Sequence, residues 1–279
     1  MVGFILFSSY PKSGNTWFRA VLSSALAQGR TVDINRMGFS TCADRGLFDR
    51  ILGVSSAEFT SHEIACLRPH VYDFALRRSK RDIIYKVHDA WLPTFPGTPH
   101  PFLASQVKRV IYIMRDPRDV AISLASHVGK SIDHIIAKMG HADYVLGSKK
   151  KRLRPQVAQR LSTWSAHVRS WVDAPGLSVH VIQYEKMSQN PFQEFRGAFE
   201  HIGLEIPDKV IESAIEAARF EKLQKQEEEK NFVERSAQSS RFFRRGIANG
   251  WIDTLSSEQV RHIVADHRSV MERFGYKTD

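Results

Sequence analysis

Phe4-Ile5-Leu6-Phe7-Ser8-Ser9-Tyr10-Pro11-Lys12-Ser13-Gly14-Asn15-Thr16-Trp17 runs from an apolar stretch into a short polar turn holding one glycine. The stretch at 4–9 has the length and near-continuous apolarity of a strand buried on both faces. Beyond the turn, Phe18, Val21, Leu22, Ala25 and Leu26 repeat at i, i+3, i+4, i+7 and i+8, one apolar stripe along a helix. A strand, a tight turn and a helix in that order gather unpaired backbone N–H groups at a helix N-terminus, where the dipole favours an anion. Gly14 permits the curvature, Ser13, Asn15 and Thr16 add donors, and Lys12 adds a point charge. The lysine precedes the glycine and no G-x-x-x-x-G-K-[ST] occurs, so this is not the Walker turn of ATP-binding folds.

Further apolar runs at 83–87, 110–114 and 178–183 read as more buried strands. Pro117 suits the first turn of a helix with Asp116 as its cap, and Val120 and Leu124 face inward. Helical patterns follow at 156–172, 191–202, 207–218 and 256–274. Strands alternating with helices predict an α/β fold, a three-layer α/β/α arrangement around a central parallel sheet. Ligands of such sheets bind beyond the strand C-termini. Lys12, His88, Arg115 and Tyr184 each follow one of the strands, so they are expected on one rim. Residues 1–279 are read as a single domain, with 141–155 and 224–240 as mobile loops or lid segments.

The composition is that of a soluble chain, 42% hydrophobic and 25% charged, and no run approaches the ~18 apolar residues that span a bilayer. The run at 4–7 lacks a basic flank and reads as a strand rather than a secretory signal. Two cysteines, Cys42 and Cys66, are too few for a disulfide framework, which points to a reducing cytoplasm. The net charge of +10 suits an anionic partner without saying which. Local clusters lie at Lys149-Lys150-Lys151-Arg152 and at 241–245, and either a gate for an acceptor or a membrane contact fits the stretch at 149–154. The histidines and cysteines lack metal-ligand spacing, so no metal is expected.

Taken together the residues resemble the cytosolic-type sulfotransferases, which use 3′-phosphoadenosine-5′-phosphosulfate (PAPS) and release adenosine 3′,5′-bisphosphate (PAP). Four separated motifs carry the resemblance. The 10–17 turn is similar to the family's 5′-phosphosulfate loop, and Arg115-Asp116-Pro117-Arg118-Asp119-Val120-Ala121-Ile122-Ser123 to its 3′-phosphate strand and helix. Tyr184-Glu185-Lys186-Met187 and Arg244-Arg245-Gly246 with Gly250-Trp251 match two shorter segments. The resemblance implies a P-loop-like sulfotransferase fold with His88 as the base that takes the acceptor proton. It further implies that Lys12 stabilises the leaving phosphate and that Lys86 contacts the transferring group. Ser123 would bind the 3′-phosphate and hold Lys12 back, with Arg115, Arg244, Arg245 and Gly246 completing that phosphate site. Trp17 and Phe220 would enclose the adenine and Tyr184 would bond its edge. His127 has no counterpart and is read as structural.

The sequence departs from the family at Asp116, where Asn is common, and at Ala218-Arg219, where a Thr-Ser pair often precedes the aromatic. Asn249-Gly250-Trp251-Ile252 also lacks the usual flanking Asp and Lys. The resemblance extends to bacterial enzymes that modify small molecules and implies a small-molecule hydroxyl acceptor: a phenol, a glycan, a lipid headgroup or a natural product such as a glycopeptide. The acceptor pocket is expected within 33–77 and 130–155. The rival enzyme reading, a P-loop small-molecule kinase using ATP, requires the missing Walker lysine. A nucleic-acid-binding protein requires aromatics among the basic residues, and 149–154 has none.

Overall fold

The computed structural model describes residues 2–147 and 154–279, and the basic run at 149–152 lies outside the described residues. The order begins β1 (Phe4–Ser9), α1 (Asn15–Leu26), α2 (Arg45–Leu52), α3 (Ser61–Arg78), β2 (Ile83–Val87), β3 (Val107–Met114) and α4 (Pro117–Val128). It continues α5 (Ile132–Met139), β4 (Val145–Leu146), β5 (Gln159–Arg160), α6 (Trp164–Val172), β6 (Val179–Gln183) and α7 (Tyr184–Gln189). It ends α8 (Pro191–His201), α9 (Asp208–Ala217), α10 (Phe220–Lys230) and α11 (Ser257–Arg273). The fold is α/β, a central parallel sheet flanked by helices, with strand order β2-β1-β3-β6. β1 pairs with β2 from Phe4 opposite Ile83 to Ser8 opposite Val87. Among the described residues no helix is long and apolar enough to cross a membrane.

The chain divides into two compact units, the first made of residues 1–10, 40–112 and 140–181. Every residue of β1 is buried, which is why it reads as an unbroken apolar run. The first unit also encloses an ion pair. Arg68 on α3 is 0% exposed and grips both carboxylate oxygens of Asp89 at 2.8 Å. Thr94 Oγ1, the Ala158 carbonyl and Tyr72 Oη take further guanidinium hydrogens. Removing either ion would strand the other in low dielectric, at a cost of about 3–5 kcal/mol.

The second unit comprises residues 11–39, 113–139 and 182–279. Phe18 of α1 stacks on Phe195 of α8 at 5.7 Å, and α1 also packs along α9. Asp116 caps α4 by accepting from the Arg118 N–H at 2.9 Å, as its position before Pro117 suggested.

One expected helix is corrected. The stretch 156–172 is helical only from Trp164, because β5 pairs antiparallel with β4 and Ser162 takes a left-handed φ of 59°. Thr163 then caps α6 by accepting from Ala166 N–H. β3 begins three residues before its apolar run, where exposed Lys108 and Arg109 disguise it. Residues 224–230 of the looser stretch belong to α10.

Candidate active site

The turn after β1 belongs to the second unit and is bent by two left-handed residues, Lys12 at φ 72° and Gly14 at φ 104°. A lysine in that region carries a strain of about 1–2 kcal/mol, which the surrounding structure sustains. Gly14 caps α1 without any side-chain bond, and no acidic residue occupies the first helical turn. The positive end of α1 therefore carries no acidic side chain of its own first turn. Ser13 is fully buried and its Oγ has no hydrogen-bond partner among the described residues. Asn15 and Thr16 are buried in the first turn, where Thr16 Oγ1 accepts from Arg19 at 3.4 Å.

Lys12 Nζ lies 3.6 Å from the centre of the Phe242 ring, a cation–π contact. Lys12, Ser123, His127, Arg241, Phe242 and Arg244 line one small cavity. Ser123 and His127 are four apart on α4 and so share a face. His127 meets the Phe242 ring edge-on at 5.8 Å, so its place is at this cavity. The i+4 spacing from Ser123 was the signal for it. Phe242 itself went unread in the sequence. It is set by Glu227 of α10, 2% exposed, whose two carboxylate oxygens accept from the N–H groups of Phe242 (2.7 Å) and Phe243 (2.9 Å).

Arg115 follows β3 and binds several groups at once. Its guanidinium stacks on the Tyr184 ring at 4.3 Å, pairs with Asp119 at 3.5 Å and donates to the carbonyls of Ile247 (2.7 Å) and Lys12 (3.4 Å). Its Nε is buried with no partner among the described residues. Asp119 accepts from the Asn249 N–H at 2.8 Å, so Asp119 of α4 and Arg115 ahead of that helix hold the 247–251 segment at two points. Burial raises the Asp119 pKa, partly offset by Arg115. Arg118, clamped to Asp116 at 2.7 Å, lies 3.8 Å from the Trp251 ring centre. The divergent loop therefore keeps its tryptophan in a defined contact. Arg244 and Arg245 are exposed, and Arg245 donates to Thr254 Oγ1 at 3.2 Å. Partial burial, and then Arg245 and Arg115, lower the Arg244 pKa. Arg115, Arg244 and Arg245 thus gather positive charge in one region.

The aromatic residues are ordered as a group. Trp17 packs edge-on against Tyr184 (6.1 Å) and Phe195 (5.6 Å), and its Nε1 is buried with no partner among the described residues. Phe220 meets Phe243 edge-on at 6.2 Å and lies directly on Gly246, which adopts φ 64°. Tyr184 is buried, and Glu185 beside it accepts from Asp116 N–H and Tyr276 Oη–H, each at 3.0 Å.

His88 and Lys86 lie in the first unit. Lys86 is 8% exposed at the end of β2, its backbone bonded to Ser40 and Cys42. His88 Nδ1 is 2.8 Å from the Ser9 carbonyl oxygen and 3.3 Å from Ser9 Oγ. A carbonyl only accepts, so Nδ1 carries the hydrogen and the neutral ring keeps its lone pair on Nε2.

The family model of the sulfotransferase domain matches residues 4–275. Among curated proteins, Sulfotransferase 1A1 of Canis lupus familiaris is 25% identical over 97% of this chain and 84% of its own length. Sulfotransferase 1A1 of Mus musculus is 24% identical, over 96% and 84%. Among solved structures, mouse sulfotransferase SULT7A1 complexed with PAP has a TM-score of 0.61 at 18% identity, covering 98% of this chain and 86% of that one. Retinol dehydratase in complex with androsterone and inactive cofactor PAP has a TM-score of 0.63 at 16% identity, covering 98% and 82%. At such identities these two show a common fold.

Proposed function

This chain belongs to the sulfotransferase domain family, and from that premise we propose that it moves a sulfuryl group from PAPS to a hydroxyl of a small-molecule acceptor. Residues 1–279 are taken as one sulfotransferase domain acting in the cytoplasm, in keeping with two free cysteines. The observation that carries the reading is the lysine-first turn at 12–14 with Arg115, Ser123 and Arg244 in the same unit. It supplies cationic and hydroxyl groups for a nucleotide bearing phosphates at both ends.

The residues suit that donor. Buried Ser13 Oγ and Arg115 Nε, both without partners among the described residues, are donors in want of an acceptor. Lys12, Ser13, Gly14, Asn15 and Thr16 would hold the 5′-phosphosulfate, and Arg115, Ser123, Arg244, Arg245 and Gly246 the 3′-phosphate. Guanidinium forks match phosphate oxygens. Trp17 and Phe220 would enclose the adenine, with Tyr184 at its edge. When bound, PAPS supplies an activated sulfuryl group on a phosphate leaving group.

The chain's own part is charge and proton handling. Lys12 Nζ balances charge on the departing phosphate, and Lys86 does so at the transferring group. With Nδ1–H committed to the Ser9 carbonyl, His88 takes the acceptor's proton on Nε2. The family's release of a held lysine has a local counterpart in Ser123 and Phe242, which line the same cavity as Lys12. Of the two stretches expected to move, 231–240 is taken as a lid segment, while 148–153 of the other lies outside the described residues. The acceptor class is a phenol, sugar, lipid-headgroup or natural-product hydroxyl.

A thermal-shift comparison without magnesium tests the donor. Greater stabilisation by PAP than by ATP is expected, and the reverse order would sink the reading in favour of a kinase. With labelled PAPS and a panel of hydroxyl acceptors, His88→Ala should abolish transfer while PAP binding stays nearly intact. Full turnover by that variant would move the base elsewhere.

A further inference from the structure

Two ring nitrogens on one face of α6 grip consecutive carbonyls just beyond β2. His167 Nε2 lies 3.1 Å from the His88 carbonyl oxygen, and Trp171 Nε1–H donates to the Asp89 carbonyl at 2.9 Å. His167 and Trp171 are one helical turn apart, so both rings leave α6 in the same direction. His167 is 0% exposed and Trp171 is 1% exposed. The other side of the His167 ring is equally committed, with Nδ1 2.8 Å from Tyr112 Oη on β3 and the Tyr10 ring edge-on at 5.2 Å.

The chemistry admits one arrangement. The His88 carbonyl can only accept, so His167 carries its hydrogen on Nε2, and its Nδ1 accepts from the Tyr112 hydroxyl. Burial keeps the ring neutral, lowering its pKa to about 4, so it donates through Nε2 and accepts through Nδ1 across the working pH range. Asp89, next in the chain, is fixed by its paired bonds to Arg68, and the Ala90 N–H donates to the Arg160 carbonyl at 2.6 Å. The backbone at 88–90 is thus held at each residue, while the His88 ring is held at Nδ1 by Ser9.

We propose that His167, assisted by Trp171, is a positioning residue that fixes the backbone of His88 and thereby its tautomer and the direction of its Nε2 lone pair. This rests on the reading of His88 as the base. It gives a purpose to a buried histidine whose ring nitrogens are both committed, to the His88 carbonyl and the Tyr112 hydroxyl, and not to any residue assigned to hold the donor. The logic is that of an outer ligand around a metal-bound imidazole, where the partner of one ring nitrogen decides the state of the other. Here the partner acts one step further back, on the carbonyl of the residue it orients.

The test reads the His88 ring directly and needs no acceptor. Long-range proton–nitrogen correlation spectra of the nitrogen-15-labelled full chain near neutral pH report each histidine's tautomer, with His88 assigned by its loss in His88→Gln. In the native chain His88 should show one tautomer, hydrogen on Nδ1, with its two ring-nitrogen shifts far apart. In His167→Phe, which keeps a ring but has no N–H, those shifts should draw together as both tautomers populate. His167→Gln, which keeps an N–H donor, should restore the separation. A folded His167→Phe, binding PAP within about twofold of native, with His88 signals unchanged would overturn the proposal. Should that variant fail to fold, Trp171→Phe asks the same question through the next carbonyl: a shift at His88 supports the proposal, and none rejects it. Retained turnover in His88→Ala would sink the base assignment and leave the tautomer result standing.

Discussion

Gly14 and Gly246 illustrate how far single residues set this site, because each is glycine for two reasons at once. At Gly14 φ is 104°, and a Cβ would stand 2.7 Å from Tyr184 Cδ2. At Gly246 φ is 64°, and a Cβ would run into the Phe220 ring. Both collisions fall on aromatics assigned to the nucleotide. Gly53 has a similar φ of 73° but open space around it. Gly14→Ala should therefore weaken PAP binding at least ~10-fold by calorimetry, as backbone strain of about 1–2 kcal/mol adds to displacement of Tyr184. Gly53→Ala should carry the strain alone, lowering the melting temperature and sparing PAP. Equal PAP affinity in native and Gly14→Ala protein would refute the close fit of the turn against Tyr184. The sequence made Gly14 legible as a point of curvature, since the residue type announces it. It did not disclose the tyrosine 170 positions away, because that contact depends on tertiary packing.

At the scale of elements, the legible pieces were those whose apolar pattern is uninterrupted. β1 and β2 have the expected limits, and α8, α9 and α11 differ from theirs by a residue or so at each end. α3 went unread although it is 18 residues long and begins with a capping box from Thr60 to Glu63. Its buried face runs Ile64, Ala65, Arg68, Val71, Tyr72 and Leu76, with proper helical spacing but an arginine at the centre. Pro69, inside the helix, adds a second contrary signal. Hydropathy cannot announce a buried arginine whose compensation, Asp89, is supplied by the loop after β2. α10 misled for a similar reason: Glu227 sits in an acidic triplet yet is buried, accepting two backbone N–H groups. That bond ties α10 to the position of Phe242, and hence to Lys12. Glu227→Gln should leave an N–H facing an amide NH2, at a cost of about 1–3 kcal/mol. We expect a lower melting temperature and PAP affinity reduced several-fold, with Glu228→Gln, whose side chain is exposed, as the unaffected control. If both variants bind PAP like the native chain, α10 does not govern the Phe242 segment.

For the molecule as a whole, charge and burial combine into a dependence of stability on acid. The chain carries +10 at neutral pH with its histidines neutral, and His167 stays neutral while folded. Its pKa is lowered from 6.5 to about 4 by burial, so between those values the unfolded chain binds a proton that the native one refuses. Stability from this group is complete above about pH 6.5 and is lost as pH falls toward 4, by about 3 kcal/mol over the window. That is a large share of the ~5–15 kcal/mol that holds a typical domain. His100, also lowered by burial, acts in the same direction. Asp119 and Glu185, raised by burial, act oppositely, since what they contribute is lost as pH rises through their folded pKa values. Asp33 and Asp82 are lowered by hydrogen bonds and lysine partners, and lose their stabilisation only below the ordinary carboxylate range. The histidine window is therefore partly separable from the carboxylate windows. Urea unfolding of the native chain at steps between pH 7 and pH 4 should show the midpoint falling throughout. In His167→Gln, which has nothing to titrate there, the fall should be shallower by about 3 kcal/mol across the window, from a lower starting stability at pH 7. Parallel curves for the two proteins would mean that His167 is protonated in the native state. Its Nδ1 could then not accept from the Tyr112 hydroxyl, and the single neutral tautomer would not exist.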